Sequence, residues 1–285
     1  MQERSNGEAG RIHQSLSHHS PEPLLTPGDG PPVEVINRDG KSQVVLVCEH
    51  ASNRVPENLN NLGLTEEQLN SHVGWDPGAL DLAKALSVSL DSPLIAARLS
   101  RLVYDCNRPP EATSAMPDFT EVCRVPGNVS LSEVDRQARA REIYEPFHVE
   151  LAHVIARKRL QGLAPVLVTI HSFTPVFRGE HRFVEVGYLH GQDNRLAKAM
   201  LLHASSDQVF DIRLNQPYGP EDGVLHTIDR HTAKNGAANV MVEIRNDLLA
   251  NNDDRRAVHE LLLESLGKAL DHLNKPSKPI KTGTA

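Results

Sequence analysis

An α/β sandwich around a mixed, largely parallel sheet is the fold this chain predicts, and three observations predict it. Short continuous apolar runs, Gln43 to Cys48 (QVVLVC), Pro165 to Ile170 (PVLVTI) and Val240 to Ile244, have the pattern of strands covered on both faces. Segments with helical apolar spacing lie between them. The chain, 285 residues with 39% hydrophobic and 24% charged, can bury a core without disulfides or structural metals.

Residues 1–32 form a polar leader of Ser, His, Pro, Gly and charge. Such a segment cannot offset its ordering entropy, so it is expected to be disordered. One domain is expected over 33–273, followed by a flexible tail over 274–285. Within the domain, QVVLVC runs into Glu49-His50-Ala51-Ser52-Asn53. Thr65-Glu66-Glu67 opens a short helix, and Ala79 to Leu90 has helical spacing. Leu94 to Leu99 reads as a strand, with Leu102-Val103-Tyr104 close behind. Ser130 and Glu133 suit a capping box for a long helix that reaches Leu160, with Pro146 as a kink or break. PVLVTI ends at His171-Ser172. Phe183 to Leu189 and Val209 to Leu214 read as strands, and Arg195 to His203 and Gly223 to Lys234 as helical. Arg255 to Leu273 is a closing amphipathic helix.

The net charge of −7 and pI near 6.1 provide no global field for nucleic acid or anionic membrane, so neither is an expected partner. The cysteines Cys48, Cys106 and Cys123 are odd in number, widely spaced and without a CxxC pair, which suits reduced thiols. The first 32 residues lack the apolar run of a signal peptide, and no stretch nears the ~20 apolar residues of a membrane span. A cytoplasmic location is expected. The sequence leaves the oligomeric state open.

In open α/β sheets, chemistry gathers beyond the carboxyl ends of the strands. QVVLVC runs into Glu49 and His50, PVLVTI into His171, and VMV into Glu243. A lone histidine after a strand is commonly a hydrogen-bonded loop residue. Two of them on separate apolar strands, with a glutamate on a third, suit a catalytic zinc or another divalent metal with one position left for water. No compact HExxH motif, P-loop, GxGxxG or GxSxG elbow occurs.

The segments CEHASNRVP, SRLVYDCNRP, TIHSFTP and VEIRND, in that order, resemble the N-formylglutamate amidohydrolase family. NQPYG and DRHTAKNG, between the third and fourth, resemble its branch of predicted members. The likeness spans about Val44 to Asp247. That family is similar to zinc carboxypeptidases and aspartoacylase-like deacylases. The resemblance therefore implies a three-layer α/β/α sandwich like that of zinc-dependent exopeptidases. It places His50 on the first zinc ligand, His171 on a ligand in an HS dipeptide, Asn107 and Arg108 on a substrate-binding pair, and Glu243 on the general base.

One position departs from the distant pattern. Asn53 stands where those relatives carry a ligand glutamate, and a neutral amide is a poor zinc donor. The third ligand is then expected from Asp76 in HVGWDPGA or from Glu49. Asp76 reads equally as an N-cap for a helix near Pro77.

The implied substrate is N-formyl-L-glutamate or a close N-acyl amino acid, split to formate and the amino acid. Such an anion needs a fixed guanidinium. Arg108 leads, with Arg98, Arg101 and Arg245 behind it; Arg245 would share a strand face with Glu243. Asp105 is expected to orient a ligand or an arginine. Arg101 or His231 would help hold the oxyanion, although His231 reads equally as a histidine at a helix C-terminus. His72, His148, His226 and the remaining histidines read as structural or surface residues. The competing readings are a deacylase or carboxypeptidase for another N-acyl substrate, and a non-catalytic binding protein whose metal site has decayed at Asn53.

Overall fold

The computed structural model of the chain describes residues 23–204, 210–234 and 236–274. His13, His18, His19, most of the expected leader, the tail beyond Asn274 and Val209 lie outside them. Residues 23–32 are packed. Asp29 is buried, accepts from the Thr26 amide at 2.8 Å and receives Nη1 of Arg54 at 3.3 Å, so order begins before Val33.

In chain order the strands are β1 (Val33–Ile36), β2 (Val44–Cys48), β3 (Leu94–Ala97), β4 (Val166–Phe173), β5 (Val176–Phe177), β6 (Glu180–His181), β7 (Val186–Leu189), β8 (Ile212–Leu214) and β9 (Asn239–Arg245). The helices are α1 (Glu66–Asn70), α2 (Ala79–Leu90), α3 (Glu133–Arg139), α4 (Glu145–Leu160), α5 (Arg195–Ala204), α6 (His226–Thr232) and α7 (Asn252–Asn274). Seven strands make one sheet in the order β1-β3-β2-β4-β9-β7-β8, and β5 and β6 form a separate hairpin. β3, β2, β4 and β9 run parallel to one another, and β7 runs parallel to β8. β1 is antiparallel to β3, and β7 to β9. The mixed, largely parallel α/β sheet expected from the sequence is the one found.

The continuous apolar runs follow from burial on both faces. Val44, Leu46 and Cys48 of β2, Val168 and Ile170 of β4, and Val240, Val242 and Ile244 of β9 belong to one core shared with α2, α5 and α7. The alternate residues Val45, Val47, Leu167 and Met241 belong to a second core with α4, α6 and the loop after β3. Helices thus cover both faces, and a polar side chain on these strands is affordable only where the strands end.

Several boundaries differ from expectation for local reasons. Ser130 does not cap α3: it sits at φ 56, and Ser132 is the N-cap, accepting from the Asp135 amide at 3.1 Å. The Ser-x-x-acid spacing recurs two residues on, and that copy is used. A π-helical turn over 140–144 carries α3 into α4, so Pro146 falls in the first turn of α4, where its missing N–H is tolerated. β4 runs on to Phe173, which puts His171 inside the strand. β7 starts at Val186, and α6 is shorter than expected. Among the described residues, no helix is long and apolar enough to cross a membrane.

The loop from Arg98 to Asn128 forms one wall of the site and is clamped from behind by a buried guanidinium. Arg139 donates to Val103 O at 3.1 Å, Asn128 Oδ1 at 2.6 Å and Gly127 O at 3.3 Å. Burial pushes its pKa down to about 10. Arg139→Met strands these acceptors and is expected to lower stability by about 2–4 kcal/mol in urea unfolding. A loss under about 0.5 kcal/mol would show that the clamp is dispensable.

Candidate active site

β2, β4 and β9 are adjacent and parallel, and their carboxyl ends meet at one edge. The register sets His171 of β4 opposite Glu243 of β9 and Val47 of β2 opposite Thr169, so Glu49, just past β2, falls level with His171. Three titratable side chains therefore form a lateral row on one face of the sheet. All three are buried.

His50, one residue later, belongs to the turn after β2, and its backbone carbonyl accepts from the Asp76 amide at 2.9 Å. That bond brings the segment before α2 over the strand ends. Asp76 does not cap α2, whose N-cap is Gly78 at φ 81; a Cβ there would lie 2.4 Å from the Leu249 side chain. The Asp76 carboxylate turns inward instead. Its Oδ2 lies 2.9 Å from His171 Nδ1 and 3.3 Å from His50 Nδ1, and takes the Ser172 amide at 3.2 Å. Its Oδ1 takes Arg101 Nη1 at 3.4 Å.

The far side of each imidazole faces another carboxylate. His50 Nε2 is 2.8 Å from Asp105 Oδ1. His171 Nε2 is 3.1 Å from Glu49 Oε2, off the line that a hydrogen bond needs. Asp105 also receives Arg101 Nη2 at 3.0 Å and the Asn107 amide at 2.9 Å. Burial pushes these carboxyls up. His50 is the largest opposing influence on Asp76 and Asp105, and His171 on Glu49, and all three are held below the ordinary range. At Glu243 burial outweighs the opposing pull of His171 and pushes the carboxyl up to about 7, and its Oε2 has no hydrogen-bond partner among the described residues.

Donor atoms of His50, Asp76 and His171 lie within 4.8 Å of one another, and the group could hold a metal ion. Two imidazoles and a carboxylate are the donor types a catalytic zinc site takes, and the Nδ1 atoms face one carboxylate while the Nε2 atoms face two others. The cluster floors a cavity of about 340 Å³ that Glu243, Arg101, Arg108 and Tyr218 also line.

A family model described as N-formylglutamate amidohydrolase matches residues 42–250. The chain belongs to the N-formylglutamate amidohydrolase family. As a member of it, the chain is an amidohydrolase. The crystal structure of a gene product from Agrobacterium tumefaciens is 48% identical, covers 88% of this chain and all of its own, and has a TM-score of 0.86. The crystal structure of N-formylglutamate amidohydrolase from Ralstonia eutropha shares the fold: 16% identity, 84% and 97% of the two chains covered, TM-score 0.61. Among curated proteins no match is found.

For this amidohydrolase, the structure brings His50, His171, Asp76, Glu243, Arg101, Asp105, Asn107 and Arg108 to one cavity. Asn53 points elsewhere, its amide donating to Asn70 Oδ1 at 2.6 Å, and Asp76 supplies the third donor instead. Three of the expected site residues lie outside the His-Asp-His group or the cavity. Glu49 is not in the His-Asp-His group; it sits behind His171 on the opposite ring nitrogen. His231 does not line the cavity, because α6 turns it onto His148, with Nε2 2.9 Å from His148 Nδ1. Arg245 shares the strand face of Glu243 but bends away to Asp247 at 2.8 Å and Glu185 at 3.2 Å. Arg98, the other arginine considered, reaches Pro31 O at 3.3 Å and does not line the cavity.

Other residues went unread in the sequence. Tyr218 of NQPYG, Phe173 and Phe177 form an aromatic wall, with Arg182 stacked behind it. At the mouth His72 Nε2 meets Glu121 Oε1 at 2.8 Å. Tyr218 and Phe173 lie within the motifs NQPYG and TIHSFTP; the others arrive by tertiary folding.

His148 is buried, and burial pushes it down to about 2. Its folded pKa lies below the ordinary 6.5, so the unfolded chain binds the proton first and stability falls as the pH drops below about 6.5. Against His148→Gln, the wild type is expected to lose up to about 1.4 kcal/mol per pH unit between about pH 6 and 4.5 in chemical denaturation. Parallel curves for the two proteins would mean that His148 protonates in place.

Proposed function

We propose that this amidohydrolase cleaves the formyl amide of N-formyl-L-glutamate, or of a close N-acyl amino acid, using a divalent metal at His50, Asp76 and His171. The observation that carries the reading is the placement of the unpartnered Glu243 carboxylate beside that donor set, at the floor of one cavity. The donor chemistry suits zinc, which when bound would supply Lewis-acid polarisation of water and of the amide carbonyl.

The chain's own groups supply the rest. Glu243, raised toward neutrality, takes a proton from the attacking water and returns it to the leaving nitrogen. Addition of water across the C–N bond then gives formate and glutamate. Asp105 holds His50 and Arg101 in place by hydrogen bonds, and Glu49 stands behind His171 as a charge partner 3.1 Å from its outer nitrogen. Arg101 stays charged between Asp76 and Asp105 and lines the cavity, where it would stabilise the oxyanion. Arg108 lines the same cavity and has no ion-pair partner among the described residues, which leaves its charge for a substrate carboxylate; Asn107 fixes that loop through Val224 O at 2.5 Å and the Thr227 amide at 2.9 Å.

Formate release from N-formyl-L-glutamate by zinc-loaded protein is expected, with loss after chelation. Release that survives chelation removes the metal from the reaction, and no release from folded, loaded protein removes this substrate. Glu243→Gln should lower kcat by about 10²–10⁴-fold while bound zinc, read by elemental analysis, stays near the wild-type level. A fully active Gln variant excludes Glu243 as the base.

A further inference from the structure

Two guanidinium groups, Arg108 on the cavity wall and Arg182 behind the aromatic wall, form no ion pair with a carboxylate among the described residues, and they differ in kind. Arg101 is neutralised by Asp76 and Asp105. Arg108, which faces the cavity, donates to the carbonyls of Asn107 and Gly223. Arg182 lies half-buried in a cage of three aromatic rings, its Cζ 4.4 Å from the centroid of Phe177, 4.8 Å from Tyr218 and 5.5 Å from Phe173. Neither Arg108 nor Arg182 forms an ion pair among the described residues. A half-buried guanidinium held among aromatic faces and neutral oxygens, with no carboxylate against it, keeps a field that no protein anion cancels.

That field is delivered into the cavity through one atom. Arg182 Nη1 donates to the Tyr218 hydroxyl oxygen at 2.9 Å and to Thr174 O at 3.5 Å. The phenol oxygen is thus occupied as an acceptor, and its own O–H is free to donate elsewhere. Tyr218 lines the cavity, as do Phe173 and Phe177 of the cage. Burial, and then the neighbouring Glu243, push the Tyr218 pKa up, so the hydroxyl keeps its proton at neutral pH.

We infer that Tyr218, positioned and polarised by Arg182, is the specificity contact for a second carboxylate of the substrate, while Arg108 receives the first. This rests on the reading that the cavity takes an acidic N-acyl amino acid. An O–H backed by a guanidinium gains most from an anionic acceptor, whereas a neutral amide in the same place gains far less. A substrate with one carboxylate would leave the Arg182 field unanswered. The pairing therefore selects a dicarboxylic substrate.

The test compares kcat/KM for N-formyl-L-glutamate with that for N-formyl-L-glutamine. Tyr218→Phe and Arg182→Met should each narrow the preference for the glutamate compound by about tenfold or more. The double variant should lose little beyond the weaker single one, because both remove one contact. Calorimetric binding of glutarate to the zinc-loaded protein gives a readout that needs no turnover. The wild type should bind it, and either substitution should weaken it about tenfold. If the wild type hydrolyses neither formyl compound, the reaction assigned above fails and glutarate alone decides the present assignment. An unchanged glutamate preference with unchanged glutarate affinity in folded Tyr218→Phe would overturn it, as would a wild type that does not bind glutarate. Arg182→Lys, which keeps charge but not the planar fork, covers the case in which the Met variant does not fold.

Discussion

A single carboxylate ties the site together. Asp76 meets His50 from the turn after β2, His171 and the Ser172 amide from β4, and Arg101 from the loop after β3. Three segments that share no local sequence therefore converge on two oxygen atoms of a fourth. The group is buried, so its charge survives only because donors surround it, and each donor is fixed in turn by a partner of its own. Remove the carboxylate, and two imidazoles and a guanidinium are left with no common acceptor.

The cost of such a cluster is met by the sheet around it. Parallel strands buried on both faces bring Glu49, His171 and Glu243 level with one another without any turn or bulge between them. Asp76 and Asp105 accept hydrogen bonds from imidazole or guanidinium groups, and Glu49 has His171 against it. At Glu243 burial outweighs the pull of His171, His50 and Arg101, and of these four carboxyls it is the one raised. One environment thus yields carboxylates fixed as anions and another poised to exchange a proton.

The strands, and the residues at their ends, were legible because burial on both faces leaves an unmistakable apolar run, and a polar residue that ends such a run has few reasons to be there. His50, His171 and Glu243 were accessible on those terms. Asp76 was ambiguous, since Asp-Pro before a helix is also what a cap looks like; only the left-handed Gly78 removed that option. Glu49 and His50 are neighbours, and no sequence pattern says which of them joins the His-Asp-His group and which stands behind it. His231 was misplaced because its helix is short and its facing partner, His148, lies 83 residues away. Arg182 had no signal at all. Its meaning comes from three rings supplied by β4, the β5–β6 hairpin and the segment after β8.

The order of the functional groups along the chain carries a consequence for synthesis. His50, Asp76 and His171 all precede β5, whereas Glu243 lies on β9, the last strand of the sheet. As the polypeptide leaves the ribosome, β2 and β4 can pair before β9 has emerged, and domains build from their N-terminal side first. The His-Asp-His group is encoded upstream of Glu243, and the row of titratable side chains at the strand ends stays incomplete until β9 is laid into the interior of the sheet against β4.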